Sequence, residues 1–382
     1  MPTIALSTIQ GCTENPWAAG GEATSEGSAM ATTRQLTPPD APVWVPVWVM
    51  EDPPFGPGNR PRPDSEAAWP ALAIADRLGV PFRRIGTVDG RRPVGSAPAL
   101  IVSSGLRAAA QALLVKARHG TAVVHCRQGA TRLPERLLAA PFDLLVLPSS
   151  GMRRGGGAPP GRVLSILGQP QAVSPGLLAR ARVLWADRLA HLPWPRVAVL
   201  LGGGAPSLRA VVALARRLTG LVRARGGCVV ASALPECPPR IADAFAAGLS
   251  EAMHLVYRAG EPGPDPTLGF LGGADATLVA WTGPQALSEA CATDGPVFVV
   301  DEPTIQDGRS PRRAGGDASG ALLGQLLGLD LVRRWGRDGP ADPLAPWPRR
   351  PLDESGRIAR VILRRYAGLA DRSLEPDLPE RA

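Results

Sequence analysis

Two glycine corners, a serine and a glutamate hold the most legible chemistry in this chain. Residues 265–300, DPTLGFLGGADATLVAWTGPQALSEACATDGPVFVV, set an apolar run (276–280) ahead of Gly283 and Pro284, then place Ala286, Leu287, Ala290 and Cys291 at helical spacing. A helix over 285–293 therefore starts where a buried strand ends. Its unpaired N–H groups and the positive end of its dipole share one crevice, the setting in which an anion such as a diphosphate binds. Ser288 and Glu289 lie about one and a half turns into that helix, and Glu289 either reaches the crevice or stands as an exposed helix carboxylate. The second corner, Gly202-Gly203-Gly204 with Ser207 close behind, follows the apolar run 196–201 and precedes a helix carrying Val211, Leu214, Ala215 and Leu218. Only glycine lets a backbone approach a phosphate closely. No Gly-Lys-Ser/Thr follows, so this is not a Walker loop; Ser207 stands where G-x-G-x-x-G needs its third glycine, so a dinucleotide-dependent dehydrogenase or epimerase has weak support.

A third strand-turn-helix crevice holds Ser103, Ser104, Gly105 and Arg107. These side chains could meet a second ligand, or one of the serines simply caps the helix that follows.

Composition narrows the classes. The chain has 382 residues, a formal charge of +8 and 45% apolar residues, the profile of a soluble globular protein of about two domains. Lys116 is the only lysine, and the arginines are scattered as pairs with few aromatics among them, which argues against nucleic acid as a partner. Five cysteines without a CxxC pair give neither a disulfide framework nor a zinc site, and Cys228 and Cys291 read as core residues. The four histidines are isolated, so no metal centre is expected. No apolar run approaches the roughly 18–20 residues of a membrane span, and the start lacks the features of a secretory signal. A cytoplasmic protein, at most peripheral to a membrane, is the expectation.

These corners need a scaffold to hold them. Residues 1–40 are rich in Ser, Thr, Gly and Ala and read as a disordered tail, with Met30 an alternative start. From there strands are expected at 43–50, 99–103, 121–125, 142–147 and 163–167, with helices around Leu72–Leu78, at 106–118 and from Ser174-Pro175 to about 191. Leu192-Pro193-Trp194-Pro195 then breaks the chain, and strands at 196–201, 228–231, 254–257, 276–280 and 297–300 alternate with further helices. Such alternation predicts parallel sheets covered by helices on both faces. The expected layout is a tail (1–40), a Rossmann-like domain (41–192), a second one with a nucleotide site (193–350), a terminal helix (351–370) and a tail (371–382).

Several blocks resemble the Elm-type mitochondrial fission family, whose plant member promotes mitochondrial division and whose bacterial members are often labelled nucleoside-diphosphate-sugar epimerases. They are RVAVLLGGGAPS (196–207), DPTLGFLGGAD (265–275), LSEACATDGPVFVV (287–300) and PLDESGRIARVI (351–362), with weaker likeness from about Val43 to Gly368. The chain is also similar to two-domain (GT-B) sugar transferases, in which a glutamate of such a helix holds the ribose of a nucleotide sugar. The resemblance implies an α/β, GT-B-like fold: two Rossmann-like domains, a cleft between them, and a C-terminal helix crossing the hinge. It also implies a nucleoside-diphosphate sugar as substrate, with no separate cofactor. Gly202, Gly203, Gly204, Ser207, Gly283, Ser288 and Glu289 would form the nucleotide side; Ser104, Gly105 and Arg107 would form the acceptor side. Asp52, Asp64 and His125 are the candidates for a general base. Three polar stretches depart from the family pattern: the Asp-Gly-Lys loop is here Glu51-Asp52-Pro53-Pro54, the Thr-Ser-Arg-Arg-Thr stretch is Ala231-Ser232-Ala233-Leu234-Pro235, and the Thr-x-Asp-Ser stretch is Trp281-Thr282-Gly283-Pro284. Those losses favour the alternative, a non-catalytic GT-B-like protein that binds a protein partner or a membrane surface.

Overall fold

The computed structural model describes residues 47–51, 70–86, 97–127, 135–151, 161–204, 206–300, 316–336, 342–345 and 347–366. The expected tails and the loop carrying Asp52 and Asp64 lie outside them. The first sheet is built from β1 (Val47–Glu51), β2 (Phe82–Gly86), β3 (Leu100–Ser104), β4 (Ala122–Cys126), β5 (Leu144–Pro148) and β6 (Val163–Ile166), in the order β2-β1-β3-β4-β5-β6. The second holds β7 (Arg196–Leu201), β8 (Cys228–Ala233), β9 (His254–Arg258), β10 (Ala276–Ala280), β11 (Val297–Val300) and β12 (Arg333–Arg334), in the order β12-β11-β10-β7-β8-β9. All pairings are parallel. Strands buried on both faces read as unbroken apolar runs, and RVAVLL and ATLVA are such runs.

The helices are α1 (Pro70–Leu78), α2 (Leu106–His119), α3 (Glu135–Ala139), α4 (Pro175–Leu189), α5 (Leu208–Arg225), α6 (Pro239–Gly248), α7 (Thr267–Gly272), α8 (Pro284–Cys291), α9 (Gly316–Gly328) and α10 (Glu354–Arg365). Ser174 caps α4 as its sequence predicts, accepting from the Leu177 N–H at 2.9 Å with Pro175 in the first turn. β2, α3 and β12 were not expected. β2 is an edge strand whose Arg83 and Arg84 face solvent, so it lacks the apolar signature; α3 and β12 are too short to show a period.

Two helices cross between the halves. α4 precedes the proline junction, yet its buried face (Leu178, Ala181, Trp185, Leu189) packs with Leu200, Val230, Phe270 and Leu271 of the second half. The fit requires glycine at 269, where a Cβ would lie 2.4 Å from the Trp185 ring. In return, α10 buries Ile358, Ala359 and Ile362 among Val47, Leu72 and Ile74 of the first. Polar ties fix this exchange. The Gln171 N–H donates to Ser355 Oγ (3.0 Å), Ser355 Oγ donates to the Gln171 carbonyl (2.7 Å), and Gln171 Nε2 donates to the Leu352 carbonyl (3.1 Å). Arg77 of α1 pairs with Asp353, the N-cap of α10, at 3.4 Å. Two Rossmann-like sheets joined by a C-terminal helix that returns to the first is the GT-B-like architecture expected from the sequence.

Candidate functional site

In the second sheet the strand order reverses between β7 and β10, whose last residues Leu201 and Ala280 are paired. Read within its own half, this is the 3-2-1-4-5-6 order, and ligands of open α/β sheets bind beyond the carboxyl ends of the strands at such a reversal. Both glycine corners lie there. They are bonded to each other: the Gly202 N–H donates to the Ala280 carbonyl and the Gly204 N–H to the Trp281 carbonyl, each at 2.9 Å. A Cβ at Gly202 would sit 2.4 Å from the Trp281 carbonyl oxygen, and one at Gly203 would sit 2.4 Å from that of Glu236. The glycines are therefore required by the close approach of three loops, and two of their amides are spent inside the protein rather than offered to a phosphate. Ser207 is likewise engaged as the N-cap of α5, accepting from the Ala210 N–H at 3.2 Å.

Trp281 bears the strain of this junction. Its φ of 57° is a left-handed conformation that a bulky side chain rarely adopts, and its buried indole Nε1 has no hydrogen-bond partner among the described residues.

Glu289 faces the same carboxyl edge. Gln285, one turn earlier on α8, donates from Nε2 to Glu289 Oε1 at 2.8 Å. Burial is the main force on its carboxyl and raises it to about 7; the hydrogen bond from Gln285 opposes this, while the charges of Glu236 and Asp265 add to it. Those two carboxylates come from the β8–α6 and β9–α7 connections, so two loops and α8 bring acidic groups around one point. Glu289 is half-buried, with protein packed densely around its carboxyl. At the start of α8, Gly283 supplies no side-chain cap and Pro284 has no N–H, so Gln285 and Ala286 carry the first backbone donors. The far end of the helix is held by Arg349, whose guanidinium donates to the carbonyls of Gly295 (2.7 Å), Cys291 (2.8 Å) and Ala290 (3.3 Å) and to Thr293 Oγ1 (3.0 Å).

Ser288 does something the spacing did not suggest. Its hydroxyl is fully buried, donates to the Pro284 carbonyl (2.7 Å) and accepts from the Gln169 N–H (3.0 Å), so it ties α8 to the segment after β6. Gly168 makes room for it: a Cβ there would lie 2.3 Å from Ser288 Oγ, and φ is +78°. The cysteines read as core residues are indeed buried, and burial pushes Cys228 up to about 11 and Cys291 up to about 12.

In the first half, Ser104 ends β3 and is buried, and Gly105 (φ 99°) is itself the N-cap of α2 without a side-chain cap bond. Neither serine caps the helix, contrary to the plainer sequence reading; Ser103 is instead 3.0 Å from His125 Nδ1. His125 is buried and stacked on Phe142 with ring centroids 4.7 Å apart. Arg107 is exposed in the first turn of α2. Glu51, at the end of β1, accepts the Ala71 N–H at 2.7 Å and so fixes the start of α1. The nucleotide-side residues thus share one edge of the second sheet, apart from Ser288, and the acceptor-side residues share the corresponding edge of the first. Gln285, Glu236, Asp265 and Arg349 were missed by sequence reasoning; only Gln285, four residues before Glu289, left a signal in the spacing.

With this geometry in hand, comparison with known proteins gives a family and several distant likenesses. The family model described as Mitochondrial fission ELM1 matches residues 31–366. Mitochondrial fission protein ELM1 of Arabidopsis thaliana is 31% identical over 126 residues, which are 32% of this chain and 29% of that protein, so the match spans less than a third of the relative. A putative UDP-N-acetylglucosamine 2-epimerase from Listeria monocytogenes is 15% identical, covering 88% of this chain and 99% of the other with a TM-score of 0.47. A glycosyltransferase from Rickettsia africae is 10% identical, covering 87% and 99%, with a TM-score of 0.42. Likenesses this distant carry no argument about chemistry.

Proposed function

We propose, from the premise that this chain belongs to the Mitochondrial fission ELM1 family, that its second half binds a nucleoside-diphosphate sugar and that the two halves together act as a nucleotide-sugar-dependent glycosyltransferase. In this reading Glu289, ionised, accepts hydrogen bonds from the ribose hydroxyls. The Gln285 and Ala286 amides at the uncapped start of α8 face the diphosphate, while Gly202, Gly203 and Gly204 with Gly283 shape the floor. Ser207 and Ser288 hold the helices in place around it. The acceptor lies against Ser104, Gly105 and Arg107. One observation carries the reading: a half-buried carboxylate, held by Gln285, stands on a helix whose start has no side-chain cap, at the reversal of strand order.

A thermal-shift screen with UDP, GDP, ADP and CMP tests it, with Glu289→Ala as control. At about 100 times its dissociation constant, a bound nucleotide adds roughly 2.7 kcal/mol of stability. A rise in Tm with at least one nucleotide, lost in the variant, supports the reading; no rise with any overturns it.

A second reading is favoured by the charges around this carboxylate. Among the described residues, the charged groups that act on Glu289 are both acidic, Glu236 and Asp265. A site of this kind suits recognition without transfer. Incubation with the sugar ester of the nucleotide that gives the largest shift, with a panel of hydroxyl acceptors and with water alone, followed by detection of released nucleoside diphosphate, separates the two: release as the sugar passes to an acceptor or to water supports the transferase, and binding without release under every condition supports the non-catalytic reading.

A further inference from the structure

α2 leaves two of its three leucines outside the core. Against the first sheet it buries Ala108, Ala109 and Ala112 and packs half-buried Leu113 and Val115, while Leu106 and Leu114 turn outward. Leu106 is 83% exposed and Leu114 is 71% exposed, and with exposed Ala110 between them they form an i, i+4, i+8 stripe along the helix. Leu137 of α3, a helix that shares the same sheet face through Ala139, is 60% exposed. Leucines placed this way add nothing to the interior, and a stripe of them on a free surface marks a contact with something apolar.

The charges bordering the stripe say what kind of contact. α2 has no acidic residue; exposed Arg107 and Arg118 lie beside Leu114 on the helix surface, and His119 follows at its exposed end. Lys116, on the opposite flank, is paired with Asp143 at 2.7 Å. Outward leucines edged by arginines suit an interfacial helix that sinks its apolar side chains among acyl chains and sets its cations at anionic headgroups. The chain as a whole carries a formal charge of +8. Among the described residues no helix is long and apolar enough to cross a membrane, so such a contact is peripheral.

We propose that the outer face of α2, centred on Leu106, Leu114 and Arg118, docks the protein onto an anionic lipid surface. The stripe begins at Leu106, directly after Gly105 at the carboxyl edge of the first sheet, so docking brings that edge next to the bilayer. This surface shares Arg107 with the proposed acceptor side but stands apart from the nucleotide site, and it does not require that reading to hold.

Co-sedimentation of the full chain with vesicles tests it, using phosphatidylcholine alone and phosphatidylcholine mixed with phosphatidylglycerol. The wild type is expected to pellet with the mixed vesicles, far less with the neutral ones, and to be released by high salt. Leu106→Ser combined with Leu114→Ser should weaken the partitioning about tenfold, with Tm unchanged because neither side chain is packed. Arg118→Glu should weaken it separately and serves if the leucine pair impairs folding. Failure of the wild type to bind the mixed vesicles overturns the proposal, as does binding that neither variant weakens. So does light scattering that shows a wild-type dimer dissociated by the leucine substitutions, since the stripe would then face a second copy of the chain.

Discussion

Replacing Glu289 by Gln should make the protein more stable at high pH and leave it unchanged in acid. The folded state holds the Glu289 carboxyl at about 7, against an ordinary value of 4.5. Between those limits the folded chain binds the proton more tightly than the unfolded chain, so stability falls as pH rises through that window and is flat on either side. A shift of this size corresponds to about 3 kcal/mol at most, and partial solvent exposure reduces it to roughly 1–2 kcal/mol. Gln keeps the oxygen that accepts from Gln285 and cannot ionise. Differential scanning fluorimetry of wild type and Glu289→Gln should therefore show equal Tm near pH 4.5 and a variant higher by roughly 2–6 °C at about pH 8. A pH-independent difference, or a variant less stable at about pH 8, would refute the burial of this carboxyl. The same residue should lose nucleotide binding in the variant, so stability and function would move in opposite directions.

Nucleotide binding itself should tighten as pH rises from about 5 to 8, because ribose hydroxyls donate to the ionised carboxylate; calorimetry at several pH values checks this, and a flat profile would remove Glu289 from the contact. Arg349→Ala removes the guanidinium fork from the Gly295 and Cys291 carbonyls, the latter keeping the Leu352 N–H, and should cost about 1–3 kcal/mol in denaturant unfolding, with Lys a poor substitute because it cannot reproduce the fork. Gly168→Ala meets Ser288 Oγ and a positive φ together and should cost about 2–3 kcal/mol by the same measure; adding Ser288→Gly should recover part of the loss, and an unchanged deficit would show that the backbone alone sets it.

Much of the architecture was legible because doubly buried parallel strands announce themselves: RVAVLL and ATLVA match the observed β7 and β10 residue for residue. β2 was invisible for the converse reason, since an edge strand bearing Arg83 and Arg84 needs no apolar alternation. At the site, glycine content marked both corners but not what the glycines are for. A sequence cannot distinguish a turn that admits a phosphate from one that admits the Trp281 carbonyl. Ser288 was misleading in the same way, because its partner Gln169 is 119 residues away and the bond exists only once the halves meet. Glu236 and Asp265 act on Glu289 through space from two other loops, and no local pattern records such a meeting.

Crystals of the full chain grown with the nucleoside diphosphate that gives the largest thermal shift would test the central claim most directly. Electron density for its ribose within hydrogen-bond distance of Glu289, with the diphosphate turned toward Gln285 and Ala286, is the predicted result. A nucleotide seated against the first sheet, or bound with its ribose away from Glu289, would contradict it.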